Sequence, residues 1–397
     1  MRLKLLLPQV EPDVFQEPRV CPYGQCGGRH FHLRQEVSKA VRDTVYREVR
    51  ARRYGCLRCG RTFRVYPLGI TDDQTSRRLK GLAVLFYLMG LSYGAVALVL
   101  AALGHPLGKT AVYEAVQAAG EKVQGLRRDA VQVSMARLLV AALGADLTSV
   151  KCKGAWLTVG VTTDAVVGTT LTIDILDNGE ADTLEAWVAE VAAAVEAKVL
   201  VTDDADGFKT AADENGLQHQ VCKKHVLNNT QAWHDALAPE LARDADGSLA
   251  EIGVTPQQAL ADNDELLRLM QERQPTPAAN AKLAEIHARY AQARSPKKLG
   301  QDKETLAYRM RLFSLDRWNL WPRLTLYRKW RGPHDARLDG TNNATERSIG
   351  WRVKERYRTM RGYKRQASVL NVSRLIAWAG NFLDVDGGGA DLAAVIA

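Results

Sequence analysis

Residues 136–222 constrain the fold more than any other part of the chain. Three apolar, β-branched segments follow one another with short connections, at 136–143, 154–161 and 169–176. That spacing predicts a meander of three strands. A helix over about 182–196 comes next, with Leu184, Trp187, Val188, Val191 and Val195 on one face. The short apolar strand 198–203, a helix over about 207–215 and a strand near 218–222 complete the series. The order β-β-β-α-β-α-β predicts an α/β fold with a mixed sheet, antiparallel on one side and parallel on the other. Residues 226–335 differ, being rich in Ala, Leu and Gln. Thr255-Pro256 and Thr276-Pro277 read there as helix starts, each a cap followed by proline at the first helical position. The block is therefore expected to be all-helical, followed by a helix bearing Glu346 and another near 365–383.

Charge is unevenly spread over the 397 residues, whose formal net charge is +9. Residues 29–80 carry 14 Lys and Arg against 5 Asp and Glu, and residues 323–365 carry 13 against 4. Residues 146–225 reverse the balance, with 6 against 14. A basic head and tail around an acidic middle suit a protein that holds phosphates at its edges and cations at its centre. The first residues lack the long apolar run of an export signal, and the most apolar stretch, 81–104, is broken by glycines and Ser92. No membrane association is expected, and the six cysteines are expected as thiols or metal ligands.

Four of those cysteines form two pairs, Cys21-x4-Cys26 and Cys56-x2-Cys59, each beside glycine. Two such knuckles at strand ends supply the tetrahedral thiolate set that Zn²⁺ takes; His30 or His32 is an alternative ligand for the looser first pair. Arg58, Arg61 and Arg64 surround the second knuckle and suit phosphate contact. Further on, Ser92 caps a helix that a Gly-containing turn separates from a second, beginning at Lys109. The pair reads either as a helix-turn-helix presenting Lys109, Thr110, Tyr113 and Gln117 outward, or as an ordinary helical hairpin.

Three carboxylates stand out. Asp146 is expected at the end of the first strand, Asp203 at the end of the strand 198–203, and Glu346 in the first turn of a helix. Carboxylates at neighbouring strand ends can converge on divalent cations. Each also has a plainer reading. Asp146 fits a turn aspartate, Asp203 a solvated loop with Asp204 and Asp206, and Asn343-x-x-Glu346 a capping box. Cys222-x2-His225 offers two ligands, an incomplete set; the pair also suits packing beneath such a site. Trp318, Trp321 and Trp330 fit helix-core packing, with base stacking as the alternative.

Several stretches together resemble insertion-sequence transposases of the DDE superfamily, near the Mutator-like and related bacterial groups. They are Arg53-Tyr-Gly-Cys-Leu-Arg-Cys-Gly-Arg-Thr-Phe63, Gly144-Ala-Asp-Leu-Thr-Ser-Val-Lys-Cys-Lys-Gly-Ala-Trp156, Val201-Thr-Asp-Asp-Ala-Asp-Gly-Phe208, His219-Gln-Val-Cys-Lys-Lys-His225 and Thr341-Asn-Asn-Ala-Thr-Glu-Arg347. The resemblance spans roughly residues 20–383. It implies a zinc-ribbon-like domain at 1–70 and a helix-turn-helix DNA-binding domain at 71–125. A ribonuclease-H-like core follows at 126–225, an all-α insertion at 226–335, and the rest of the core with a C-terminal helix at 336–397. It implies catalytic Asp146, Asp203 and Glu346 holding Mg²⁺ or Mn²⁺, with Asp164 a rival for the first place. The family's small residue after the second Asp is Asp204 here, which leaves that register open by one. It also implies cleavage and joining of double-stranded DNA at element ends and target by a homo-oligomer, in a cytoplasmic, nucleoid-associated setting. Arg347, Arg352, Lys354, Arg356 and Arg358 are the residues expected along the strand path. A catalytically silent DNA-binding regulator and a nuclease without joining activity are the alternatives.

Overall fold

The N-terminal segment is tied down by strand pairing at both ends. In the computed structural model, which describes residues 4–137, 140–272, 278–295, 303–360, 362–383, 389–391 and 395–396, β1 (Lys4–Leu6) runs parallel to a strand at Gly389–Asp391. β2 (Glu11–Phe15) pairs with β6 (Pro67–Leu68). Between them β3 (Phe31–Ala40), β4 (Glu48–Cys56) and β5 (Thr62–Val65) form an antiparallel sheet. β4 begins only at Glu48, although the residues from Thr44 already alternate apolar and polar. The reason is Asp43, whose carboxylate accepts the N–H groups of Val45 at 2.9 Å and Tyr46 at 3.1 Å and so turns the chain. Burial opposes its ionisation, yet Arg78, Ser76 and those two N–H groups hold its pKa down to about 2.

Three helices follow: α1 (Arg77–Leu88), α2 (Tyr93–Ala102) and α3 (Lys109–Arg137). Ser92 caps α2 as expected, its Oγ accepting the Ala95 N–H at 3.1 Å. They do not form a free-standing module. Leu79, Leu100, Val112 and Val116 share one buried cluster with Val150, Val159 and Val161 of the next sheet and with Val369, Val372 and Leu375. α3 continues unbroken across the boundary expected at 125.

The mixed sheet has five strands in the order β11-β10-β7-β8-β9: β7 (Leu143–Cys152), β8 (Ala155–Asp164), β9 (Thr170–Leu176), β10 (Val199–Thr202) and β11 (Gln218–Val221). The first three form an antiparallel meander, and β10 and β11 join it in parallel through β7. α4 (Ala181–Val195) and α5 (Asp206–Glu214) cover one face, with Leu184, Val188 and Val191 buried against Leu143, Ala145 and Leu200. The helix Gln366–Leu383 covers the other, with α3 packed against that helix. One boundary needs correction. The segment 136–143 is not the first strand: α3 occupies its start, positions 138 and 139 lie outside the described residues, and β7 begins at Leu143. Asp146 therefore sits inside a strand, not at its end.

Among the described residues, 223–329 are helical in the main: α6 (Lys223–Leu241), α7 (Ser248–Glu251), α8 (Pro256–Gln271), α9 (Ala278–Arg289) and a long helix Leu306–Lys329. α8 starts as expected, with Thr255 Oγ1 accepting the Gln258 N–H at 3.2 Å and Pro256 in the first turn. Thr276-Pro277 lies outside the described residues. The block has its own core, including Leu237, Leu266, Leu283, Tyr290, Met310 and Phe313. Trp321 is buried in that core, and Trp318 packs beside it and donates to Asn280 Oδ1 at 2.9 Å. Trp330 packs against the cluster of Ala142, Val199 and Val201. All three tryptophans thus serve packing. No described helix is long and apolar enough to cross a membrane.

Candidate active site and metal centre

The cysteine pairs meet across the N-terminal sheet. Cys21 and Cys26 lie in the turn before β3, Cys56 ends β4, and Cys59 stands in the β4–β5 turn. Cys21 Sγ is 3.8 Å from Cys59 Sγ, Cys26 Sγ is 3.7 Å from Cys56 Sγ, and all four sulfurs lie within 4.8 Å of one another. Glycine permits this closeness, since a Cβ on Gly28 would stand 2.7 Å from the Cys56 sulfur. Backbone N–H groups of Cys59 and Arg58 aim at Cys56 and bring its pKa down to about 7, while burial pushes Cys21 up to about 12. A cation such as Zn²⁺ relieves that conflict by deprotonating the whole set. Neither His30 nor His32 belongs to the cluster. Arg58, Arg61 and Arg64 are exposed around it, and Arg61 lies over the Tyr23 ring at 5.2 Å.

The second site is built where β7 meets β10. Leu143 pairs with Leu200 and Gly144 with Val201, so the same offset brings Asp203 level with Asp146. Glu346 arrives from the far end of the chain on the helix Asn343–Ser348. Three contacts seat that helix. Asn342 donates to the Ala145 carbonyl at 3.1 Å, Thr345 and Thr163 share a hydroxyl bond of 2.9 Å, and Ser348 and Thr170 one of 2.7 Å. Gly144 makes room, because a Cβ there would stand 2.4 Å from Thr345 Oγ1. Side chains alternate along a strand, so Asp146 projects on the same face as that missing Cβ, toward the Glu346 helix. Its pKa is pushed up to about 6, by burial first and then by the charges of Asp203 and Glu346.

The plainer readings fit these residues unevenly. Asp146 is in no turn. Asp203 follows β10 in the loop and its Oδ1 accepts the Ala205 N–H at 3.1 Å, while Asp204 is paired with Lys209 at 3.0 Å and accepts from Asn229 at 2.9 Å. No side-chain cap bond starts the Glu346 helix, and Glu346 Oε1 is buried without a hydrogen-bond partner. Asp164 is spent on its hairpin turn, accepting the N–H groups of Val166 and Val167 at 2.8 and 3.1 Å.

Sequence reasoning left Cys222 and His225 as an incomplete pair; the fold supplies a third member. Cys222, His225 and Glu346 each offer a ligand atom within 4.8 Å of the others. Among the described residues only this trio and the four cysteines form so tight a set, so Asp146, Asp203 and Glu346 are more widely spread.

The basic residues divide. Lys109 and Thr110 are exposed at the start of α3, but Tyr113 turns inward, its hydroxyl 3.2 Å from Ser368 Oγ, and Gln117 contacts Asn371 at 3.2 Å. Arg347, Lys354 and Arg358 are exposed. Arg356 is not on a strand path: it is buried, donates to the carbonyls of Gly90 and Leu91 at 2.6 and 2.5 Å, and lies over Tyr87 at 3.9 Å. Arg352 is half-buried across Gly380, whose missing Cβ leaves space for the guanidinium.

Neither the protein-family models nor the curated proteins include a match to this chain.

Proposed function

We propose that the protein is a DNA transposase of the DDE type, cutting DNA at the ends of a mobile element and joining the freed ends to target DNA. The observation that carries this reading is that Asp203 and Glu346, from distant parts of the chain, lie near enough to Asp146 for their charges, after burial, to raise it to about 6, although the three do not form one tight ligand set. The sheet order, an antiparallel meander extended by two parallel strands, supports reading this part as a ribonuclease-H-like core. The helical block between Asp203 and Glu346 is then an insertion into it.

Asp146, Asp203 and Glu346 would hold Mg²⁺ or Mn²⁺, which when bound supplies the charge that activates a water or 3′-hydroxyl and stabilises the leaving oxygen of an in-line displacement. The strands fix the two aspartates at one level, and the pinned helix keeps Glu346 facing them. The exposed Arg347, Lys354 and Arg358 lie along the helices that continue from Glu346 and would hold the phosphate backbone beside the reacting bond. Arg58, Arg61 and Arg64 around a zinc-filled cysteine centre, with Lys109 and Thr110, would contact the element ends. The protein would act as a homo-oligomer on paired ends, in the nucleoid.

The second reading is a DNA-binding regulator without catalysis, favoured by the turn of Glu346 Oε1 toward His225, 3.6 Å away. The discriminating experiment supplies a pre-cut element end bearing a free 3′-hydroxyl, with target DNA and Mg²⁺. Joined product from wild type and none from Glu346→Gln supports the transposase. Cleavage of intact ends without joining indicates a nuclease, and binding alone indicates the regulator.

A further inference from the structure

We infer that Cys222, His225 and Glu346 form a second transition-metal site, distinct from the four-cysteine centre, whose occupation by Zn²⁺ withdraws Glu346 from the catalytic carboxylates. The regulatory half of this inference rests on the function proposed above; the metal site itself does not.

The geometry begins at the end of β11. Cys222 follows that strand directly and its N–H donates to the Thr202 carbonyl at 2.8 Å, which fixes it beside the strand end that delivers Asp203. The residue is fully buried and its thiol is free. His225 lies one turn on, in the first turn of α6, where helical spacing brings it over Cys222. The backbone N–H of Lys223 donates to the Gly340 carbonyl at 2.9 Å and its Nζ to the Asp339 carbonyl at 2.5 Å, tying the start of α6 to the loop that leads into the Glu346 helix.

Two polar atoms inside this corner have no hydrogen-bond partner: His225 Nδ1 and Glu346 Oε1, both buried, 3.6 Å apart. A buried donor or acceptor left unpaired is destabilising, and a shared cation removes that cost. Bonds of about 2.0–2.3 Å to a tetrahedral Zn²⁺ set its ligands roughly 3.3–3.8 Å apart, so the observed separation is that of two ligands of one ion. A thiolate, an imidazole and a carboxylate select Zn²⁺ over Mg²⁺, because sulfur and nitrogen are softer donors than Mg²⁺ accepts. Three protein ligands leave a fourth position for water. Binding releases the Cys222 proton and engages the carboxylate oxygen that faces His225. Excess Zn²⁺ would then act as an inhibitor of a Mg²⁺-dependent reaction.

Cobalt titration of the full chain without DNA tests the metal site, since Co²⁺ reports thiolate ligation by its charge-transfer absorption. Wild type should bind about two ions per chain that show thiolate charge transfer, and the His225→Asn and Glu346→Gln variants about one, with the second bound at least about tenfold more weakly. Cys56→Ser should keep an ion whose charge-transfer band has the strength of a single thiolate. His225 and Glu346 are partly exposed, so their variants should fold, and unchanged circular dichroism checks it. Uptake of one ion by wild type, or a second ion retained by both His225→Asn and Glu346→Gln, overturns the inference. Because no DNA is present, absence of strand cleavage would defeat the proposed function and leave this result standing.

Discussion

Asp203 follows directly on β10, and the register of Leu143 with Leu200 and Gly144 with Val201, carried two residues further, aligns it with Asp146 in the neighbouring parallel strand β7. Their separation of 57 residues in sequence is the offset of the strand pairing itself. An exchange by one position, to Asp204, breaks that match and finds a side chain already held by Lys209 and Asn229.

The charge crowding at Asp146 should be visible in stability. A carboxyl raised to about 6 in the fold and near 3.8 when unfolded favours the folded state below the lower value, and that contribution is lost as pH rises through the upper one. In metal-free protein at neutral pH, Asp146→Asn should therefore raise stability by about 2–3 kcal/mol in urea unfolding. Divalent cation should recover much of that in wild type and little in the variant. A neutral-pH variant no more stable than wild type would refute the crowding.

His219 titrates with the opposite sign. Its Nε2 is 2.8 Å from Thr202 Oγ1 and its Nδ1 3.0 Å from the Arg323 guanidinium, and Thr202 in turn donates to the Asp203 carbonyl at 2.8 Å. Burial, then Arg323 and Lys209, holds its pKa down to about 3. The neutral ring therefore contributes stability fully above about 6.5, and loses it as pH falls toward the folded value. Between about pH 7 and pH 4 the stability advantage of wild type over His219→Gln should shrink by about 3 kcal/mol. A difference independent of pH would contradict the assignment.

Gly144 tests the seating of Glu346. In Gly144→Ala the new Cβ meets Thr345 Oγ1, so the variant should lose about 1–3 kcal/mol and most of its strand cleavage. Gly160→Ala is the control, since its Cβ meets Trp187 on the opposite, α4 side. It should lose similar stability while retaining cleavage once folded. Equal cleavage by the two folded variants would contradict this seating.

The order of strands and the paired cysteines were legible because each leaves a local mark: period-two apolar runs and short spacings beside glycine. What was not legible depended on packing across distance. Nothing near Asp146 marks where β7 begins, because 138–143 are as apolar as the strand that follows. Arg356 reads as one more cation in a basic run, and only the fold shows it stacked on Tyr87 and bound to the Gly90 and Leu91 carbonyls. Tyr113 has the helical position of a groove-reading residue, yet the Gln366–Leu383 helix covers it through Ser368. Glu346 lies 121 residues after His225, so no spacing rule joins it to Cys222 and His225.

That division of the arginines makes a further prediction. Substituting alanine for Arg347, Lys354 or Arg358 should weaken DNA binding and lower the salt slope by about 0.9 for each phosphate no longer neutralised, with stability unchanged. Arg356→Ala should instead destabilise the fold by about 2–4 kcal/mol, measured by urea unfolding. A salt slope unaltered by all three exposed substitutions would remove this face from the DNA path.

The most direct test of the catalytic account is Mg²⁺-dependent cleavage of element-end DNA by wild type and Asp146→Asn, with binding to the same DNA measured alongside. The account predicts a loss of cleavage of at least about a thousandfold in the variant, with binding within about twofold of wild type. Equal cleavage by both proteins would contradict it.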